Sequence, residues 1–179
     1  LAPGTRFGRF RIVRCVGSGG MGAVYEATHL DLEKRVALKV LPTGMAADTK
    51  TVTRFVREAR AAGKLHHPNV VSVYGMGVES DTPYYAMEFV EGETLAQLLK
   101  RLKEAEPESE TIFGKKDSVI YFGRIAEAFS DVTEGLQHAH SMRITHRDIK
   151  PSNLILDRAG RLRILDFGLA RLEGQESIT

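Results

Sequence analysis

The chain is short of several things, and each shortage excludes something. It has one cysteine, Cys15, so no intrachain disulfide forms and a reducing compartment suits it. No apolar run approaches the length of a membrane span. Neither sign of charge dominates: 25 basic and 23 acidic residues leave a net charge of +2, with no broad field to draw nucleic acid or an anionic membrane. The opening LAPGTRFGRF lacks the apolar core of a signal peptide and an initiator Met, as expected of a piece of a longer chain. His66 and His67 are adjacent, and His138 and His140 are two apart. Neither pair shares a helix face suited to a metal, so no zinc is expected.

What is present is an ordinary globular balance, 42% apolar and 27% charged over 179 residues. That is enough for one sizeable domain or two small lobes. Residues 1–9 read as a lead-in. The stretches 9–16, 23–28, 35–41, 70–78 and 84–90 read as strands, and 35–41 (RVALKVL) is apolar enough to be buried on both faces. Between them, Val52, Phe55, Val56, Ala59 and Ala62 recur at helical spacing, with Asp48 or Thr51 as cap and Pro68 beyond the end. The first ninety residues are thus expected to form a five-stranded sheet with one main helix.

After residue 90 the pattern turns helical. LAQLLKRL (95–102) follows Thr94 as cap, and a long helix follows Ser118 with Ile125, Phe129, Val132 and Leu136 on one face. Residues 103–118 are charged, contain Pro107 and Gly114, and read as a surface insertion or linker. Short strands are expected at 154–156 and 162–165. The class expected is α+β, with one lobe over 1–90 and a second over 91–179.

Three groups carry chemistry. GSGGMGAV (17–24) fits G-x-G-x-x-G-x-V through Gly17, Gly19, Gly22 and Val24. Glycines let backbone N–H groups approach phosphate oxygens closely. A dinucleotide-binding turn would need a helix next, whereas AVYEAT reads as a strand; a plain hairpin turn fits the loop alone equally well. Lys39 lies inside the apolar run, where a buried ammonium needs a partner, and Glu58 on the next helix would supply one. Taken singly, Lys39 also fits a lysine reaching solvent along its stem, and Glu58 a solvated partner of Arg54, Arg57 or Arg60. The third group is HRDIKPSN (146–153), followed thirteen residues after Asn153 by DFG (166–168).

These motifs, in this order and with MEFVEG between them, resemble the catalytic core of the eukaryotic-type protein kinases, most nearly the bacterial serine/threonine kinases. The resemblance implies a two-lobed kinase fold with a five-stranded antiparallel first lobe and an incomplete, mainly helical second lobe. It implies ATP and Mg²⁺ as cofactors and a protein substrate bearing Ser or Thr. Asp148 would be the base and Lys150 would stabilise charge at the γ-phosphate. Asn153 and Asp166 would hold Mg²⁺. Lys39, held by Glu58, would bind the α- and β-phosphates. Val16, Val24, Ala37 and Ile155 would sandwich adenine, Met87 would lie at the back, and the backbones of Glu88 and Val90 would hydrogen-bond it. His146 and Phe167 would pack beneath the site with Ala62 and Val73, and Arg147 would answer a phosphorylated loop. The family continues well beyond the eleven residues that follow Gly168 here. A truncated second lobe is therefore expected, with Ile125, Phe129, Val132 and Leu136 partly exposed and suited to a dimer. Ser177 and Thr179 are candidate phosphosites. Two readings follow: a cytoplasmic kinase segment whose parent is anchored elsewhere if at all, or a nucleotide-binding module that transfers nothing.

Overall fold

A computed structural model describes residues 1–19, 22–104, 110–111, 113–115, 118–167 and 171–172. Gly168, Ser177, Thr179 and half of the charged insertion lie outside the described residues. The chain divides into two units. One comprises Leu1–Lys64, Ser72–Phe89 and Phe167–Leu169; the other comprises Leu65–Val71, Val90–Asp166 and Ala170–Thr179.

The first unit is an antiparallel sheet of six strands: β1 (Arg6–Phe7), β2 (Phe10–Gly19), β3 (Gly22–His29), β4 (Lys34–Val40), β5 (Val73–Glu79) and β6 (Thr82–Glu88), in the order β1-β2-β3-β4-β6-β5. Five strands were expected. The sixth comes from the lead-in: Gly8 at φ 55 turns the chain so that Phe7 pairs with Phe10, and both rings are buried with Ile12 and Tyr25. Burying two aromatic rings outweighs the polarity of the segment's neighbours. Between β4 and β5 lie the one-turn α1 (Thr43–Ala46) and the main helix α2 (Thr49–Ala62). Asp48 caps α2, its carboxylate accepting from the N–H groups of Lys50 and Thr51. That satisfies two of the donors left open at a helix start. α2 lays Phe55 and Ala59 against Leu41 and Tyr85.

The expected strand over 70–78 is two things. Only Val73–Glu79 is β5. Val70 and Val71 belong to the second unit, where Val71 N donates to Ile164 O at 3.0 Å and Ile164 N to Asn69 O at 2.8 Å. Both valines are buried there, so the apolar run serves two cores in succession.

The second unit begins with β7 (Gly92–Thr94) and α3 (Leu95–Glu104). Thr94 and Gln97 close a reciprocal cap: Thr94 Oγ1 accepts from Gln97 N, and Gln97 Oε1 accepts from Thr94 N at 2.8 Å. β8 (Glu110–Thr111) and β9 (Gly114–Lys115) pair within the insertion. α4 (Val119–Ser141), capped by Ser118, packs on β12. β10 (Ile144–Thr145), β11 (Leu154–Asp157), β12 (Leu162–Ile164) and β13 (Arg171–Leu172) complete the unit. The face α4 buries is Ala128, Val132, Gly135 and Ala139; of the expected row only Val132 is buried, while Ile125 and Leu136 are half-buried and Phe129 is exposed. A Cβ on Gly135 would lie 3.0 Å from Ile164 Cδ1. Small residues thus let the helix approach the strand, and the large ones flank the contact, with Phe129 44% exposed.

Candidate active site

Each unit carries one group of the residues singled out by sequence. In the first, β3 and β4 set the frame. Their register places Val24 opposite Lys39, and Ala37 opposite both Glu26 and Met87. Partners in an antiparallel pair share a face, so these residues form two adjacent rows on one side of the sheet. Val16 falls inside a register shift between Cys15 and Gly17 and is exposed. At Gly17 and Gly19 an added Cβ would meet nothing within 4 Å. Gly22 is different: with φ +111, a Cβ there would lie 2.4 Å from Val40 O, so the hairpin itself demands glycine. Glu88 N donates to Ser72 O at 2.9 Å.

Lys39 is 4% exposed and Glu58 2%, which rules out the solvent-reaching alternatives. Lys39 Nζ lies 2.6 Å from Glu58 Oε1. Tyr85, paired with Lys39 across β4 and β6, donates its hydroxyl to the same oxygen, and its ring centroid lies 5.6 Å from the ammonium. Sequence reasoning missed Tyr85. The signal was there: two residues from Met87 on a period-2 strand, it must share the face that α2 covers.

In the second unit the loop between β10 and β11 gathers His146, Asp148, Lys150 and Asn153. The 3₁₀ turn Pro151–Asn153 follows Lys150, with Asn153 N donating to Lys150 O. Proline at the first position suits a turn whose first N–H has no partner. Lys150 Nζ lies 2.7 Å from Asp148 Oδ2. Asn153 is buried and donates its amide to Asp148 O at 2.8 Å and Oδ2 at 3.2 Å. Leu165 N donates to Asn153 O, tying the loop to the strand that precedes Asp166. The hydrogen bond from Lys150, joined by that from Asn153, holds the Asp148 carboxyl below the usual range.

His146 is fully buried. Its Nδ1 accepts from Asp148 N at 3.2 Å and its Nε2 faces Leu165 O at 2.9 Å. Those partners place the ring proton on Nε2. Burial lowers its pKa, outweighing the bond to Leu165 and the nearby Asp148 and Asp166 charges, which raise it. Arg147 and Asp166 both hold φ near the left-handed region, 65 and 52; such strain collects at functional sites. Phe167 is buried and Ile155 half-buried, the latter paired with Thr94. Val90 opens the second unit.

Known proteins resemble this chain over most of its length. The family profile described as protein kinase domain matches residues 10–179. The chain is 38% identical over 172 residues to the serine/threonine-protein kinase PrkC of Bacillus subtilis, across 96% of this chain and 24% of that protein. It is 36% identical over 183 residues to PknJ of Mycobacterium tuberculosis, across 100% of this chain and 28% of that protein. It thus spans about a quarter of the length of these curated relatives. Among solved structures it resembles the Mycobacterium tuberculosis PknI kinase domain with TM-score 0.73 and 30% identity, over 98% of this chain and 63% of that one. The chain belongs to the protein kinase domain family.

Proposed function

We propose that this chain is the ATP-binding and catalytic segment of a serine/threonine protein kinase, transferring the γ-phosphoryl group of ATP to Ser or Thr hydroxyls of a protein. The observation that carries the reading is the Asp148 carboxylate, held ionised by Lys150 and Asn153 and backed by a neutral His146 of fixed tautomer. A module that only bound nucleotide would have no use for it.

Asp148 accepts the hydrogen bond of the substrate hydroxyl, orients its oxygen and receives its proton as the new O–P bond forms, while the bond from the γ-phosphorus to the β–γ bridging oxygen breaks and ADP leaves. Lys150, 2.7 Å from Asp148 and half exposed, is free to turn toward the transferring phosphoryl and stabilise its charge. Lys39 presents its ammonium to the α- and β-phosphates, with Glu58 and Tyr85 fixing its place. The open space at Gly17 and Gly19 admits phosphate oxygens to the backbone. Val16, Val24, Ala37, Met87 and Ile155 take the adenine ring, and Glu88 and Val90 contribute main-chain groups. Glu88 N is already bonded to Ser72, so its carbonyl is the group offered.

The donor set fits Mg²⁺. Asn153 directs its amide hydrogens to Asp148 and so keeps its hard amide oxygen for a cation. Asp166 adds a carboxylate. When bound, Mg²⁺ neutralises charge on the β- and γ-phosphates. Among the described residues no helix is long and apolar enough to cross a membrane; we place the segment in the cytoplasm, where ATP is at hand. The test is Asp148→Asn in the full-length protein. Turnover should fall about a hundredfold or more, with the dissociation constant for an ATP analogue unchanged. Phosphate transfer at the unsubstituted rate would remove Asp148 from the role of base.

A further inference from the structure

Glu26 is buried in the first unit, yet the catalytic reading gives it no task. Two guanidinium groups hold it. Arg14 Nε lies 2.7 Å from Oε2; Arg35 Nε and Nη2 lie 3.1 and 2.9 Å from Oε1. Arg35 also stacks over the Phe89 ring, with Cζ 4.6 Å from its centroid. The four residues make one chain of contacts across β2, β3 and β4 to the residue just past β6.

Their positions are not arbitrary. Arg14 is two residues from Val16, Glu26 two from Val24, and Arg35 two from Ala37. Phe89 lies between Glu88 and Val90. In a strand, residues two apart share a face. Glu26 and Ala37 are direct cross-strand partners. The cluster therefore continues the rows of residues read above as the adenine contacts, on the same side of the sheet.

The ends of the chain fall where the backbone ladder is weakest. β2 has register shifts between Ile12 and Arg14 and between Cys15 and Gly17. Arg14 sits between these two irregularities, which lead directly to Val16 and the glycines. Bulged segments lose ladder bonds, and the Arg14–Glu26 pair restores a lateral tie there. At the other end the β4–β6 ladder stops at Val36 opposite Glu88. Phe89 lies one residue further, and the Arg35 guanidinium stacks on its ring there. Ion pairs of this kind seldom add net stability over apolar packing. What they supply is a fixed geometry.

We propose that Arg14, Glu26, Arg35 and Phe89 form a positioning brace that holds the glycine-loop strands in register with the segment after β6, setting the affinity for the ATP base. The inference rests on the nucleotide reading. None of the four is a catalytic residue; each acts through its neighbours.

The experiment compares Arg35→Met, Arg35→Lys and Glu26→Gln with the unsubstituted full-length protein. Arg9→Met, which removes the exposed Arg9–Asp31 pair of the same unit, is the control. Binding of a non-hydrolysable ATP analogue with Mg²⁺ is titrated, KM for ATP and for a protein substrate and kcat are measured, and melting is recorded without nucleotide. Arg35→Met and Glu26→Gln should weaken analogue binding and raise KM for ATP about three- to tenfold. The values of kcat at saturating ATP and KM for the protein should stay put, and Arg9→Met should change nothing. Arg35→Lys, which keeps the charge but not the planar fork, should fall between. It also carries the test if Arg35→Met does not fold. Unchanged analogue binding in the Arg35 and Glu26 variants, whatever their melting temperatures, overturns the brace and leaves the kinase reading standing. Failure of the unsubstituted protein to bind the analogue overturns both.

Discussion

Lys39 and Lys150 each meet a carboxylate at nearly the same distance, 2.6 Å to Glu58 and 2.7 Å to Asp148. Their surroundings are opposite. The Lys39 and Glu58 side chains are 5% and 1% exposed, those of Lys150 and Asp148 51% and 33%. Distance alone would make the pairs equivalent; burial separates them. A buried pair has lost its hydration and each charge depends on the other. An exposed pair is screened and exchanges partners at little cost. The first arrangement suits a lysine that must always point one way. The second suits a lysine and a base that must release one another when a substrate arrives.

The largest effect expected from this contrast is on Lys39→Met. Removing the ammonium strands the Glu58 carboxylate in the core and should lower unfolding free energy by about 3–5 kcal/mol, measured by denaturant titration. Adding Glu58→Leu should recover most of that loss. A loss below about 1 kcal/mol would mean that the pair behaves as a surface pair, and the contrast would collapse.

A second test uses a buried group that avoids charge altogether. Burial lowers the pKa of His146, so between its ordinary value of about 6.5 and its lower folded value the unfolded chain binds a proton that the folded chain refuses. Stability contributed by the neutral ring is then complete above about pH 6.5 and is lost as pH falls through the folded pKa. Protonation would also place a hydrogen on Nδ1, opposing the Asp148 N–H. Melting temperature should drop on acidification from about pH 7 to 5, and the drop should shrink in His146→Gln. An identical pH profile in the variant would assign the drop to other groups.

The smallest effect on stability is expected at the exposed pair. Lys150→Met should change unfolding free energy by less than about 1 kcal/mol while lowering turnover. A loss as large as that of Lys39→Met would show that Lys150 holds the loop together and is not released for catalysis.

Much of the local structure was legible in the sequence because its causes are local. Asp48, Ser118 and the Thr94–Gln97 pair lie within three residues of the N–H groups they cap. An apolar run with one lysine announced a buried strand, and the kinase motifs kept their order. The misses share a different cause. Phe7 becomes part of the core only because Gly8 folds β1 back onto Phe10. Tyr85 meets Glu58 across 27 residues, and Arg163 reaches Val70 O across 93. The apolar stretch 70–78 reads as one strand because hydrophobicity does not say which core a residue will enter.

The sequence by itself determined which chemical groups the chain carries, their order, and where helices start. It also showed that Lys39 would need a partner, since an ammonium among apolar residues is not stable alone. Tertiary structure decided that Glu58, the partner the sequence offered, is buried with Lys39 and not solvated among its arginines, that Tyr85 joins it, that His146 stays neutral, and that Glu26 is gripped by Arg14 and Arg35. Those outcomes depend on strand register and on how much water packing removes, and both are set by residues distant in the chain. A motif records the groups, but the strength of a charge depends on the dielectric around it, which exists only once the chain has folded.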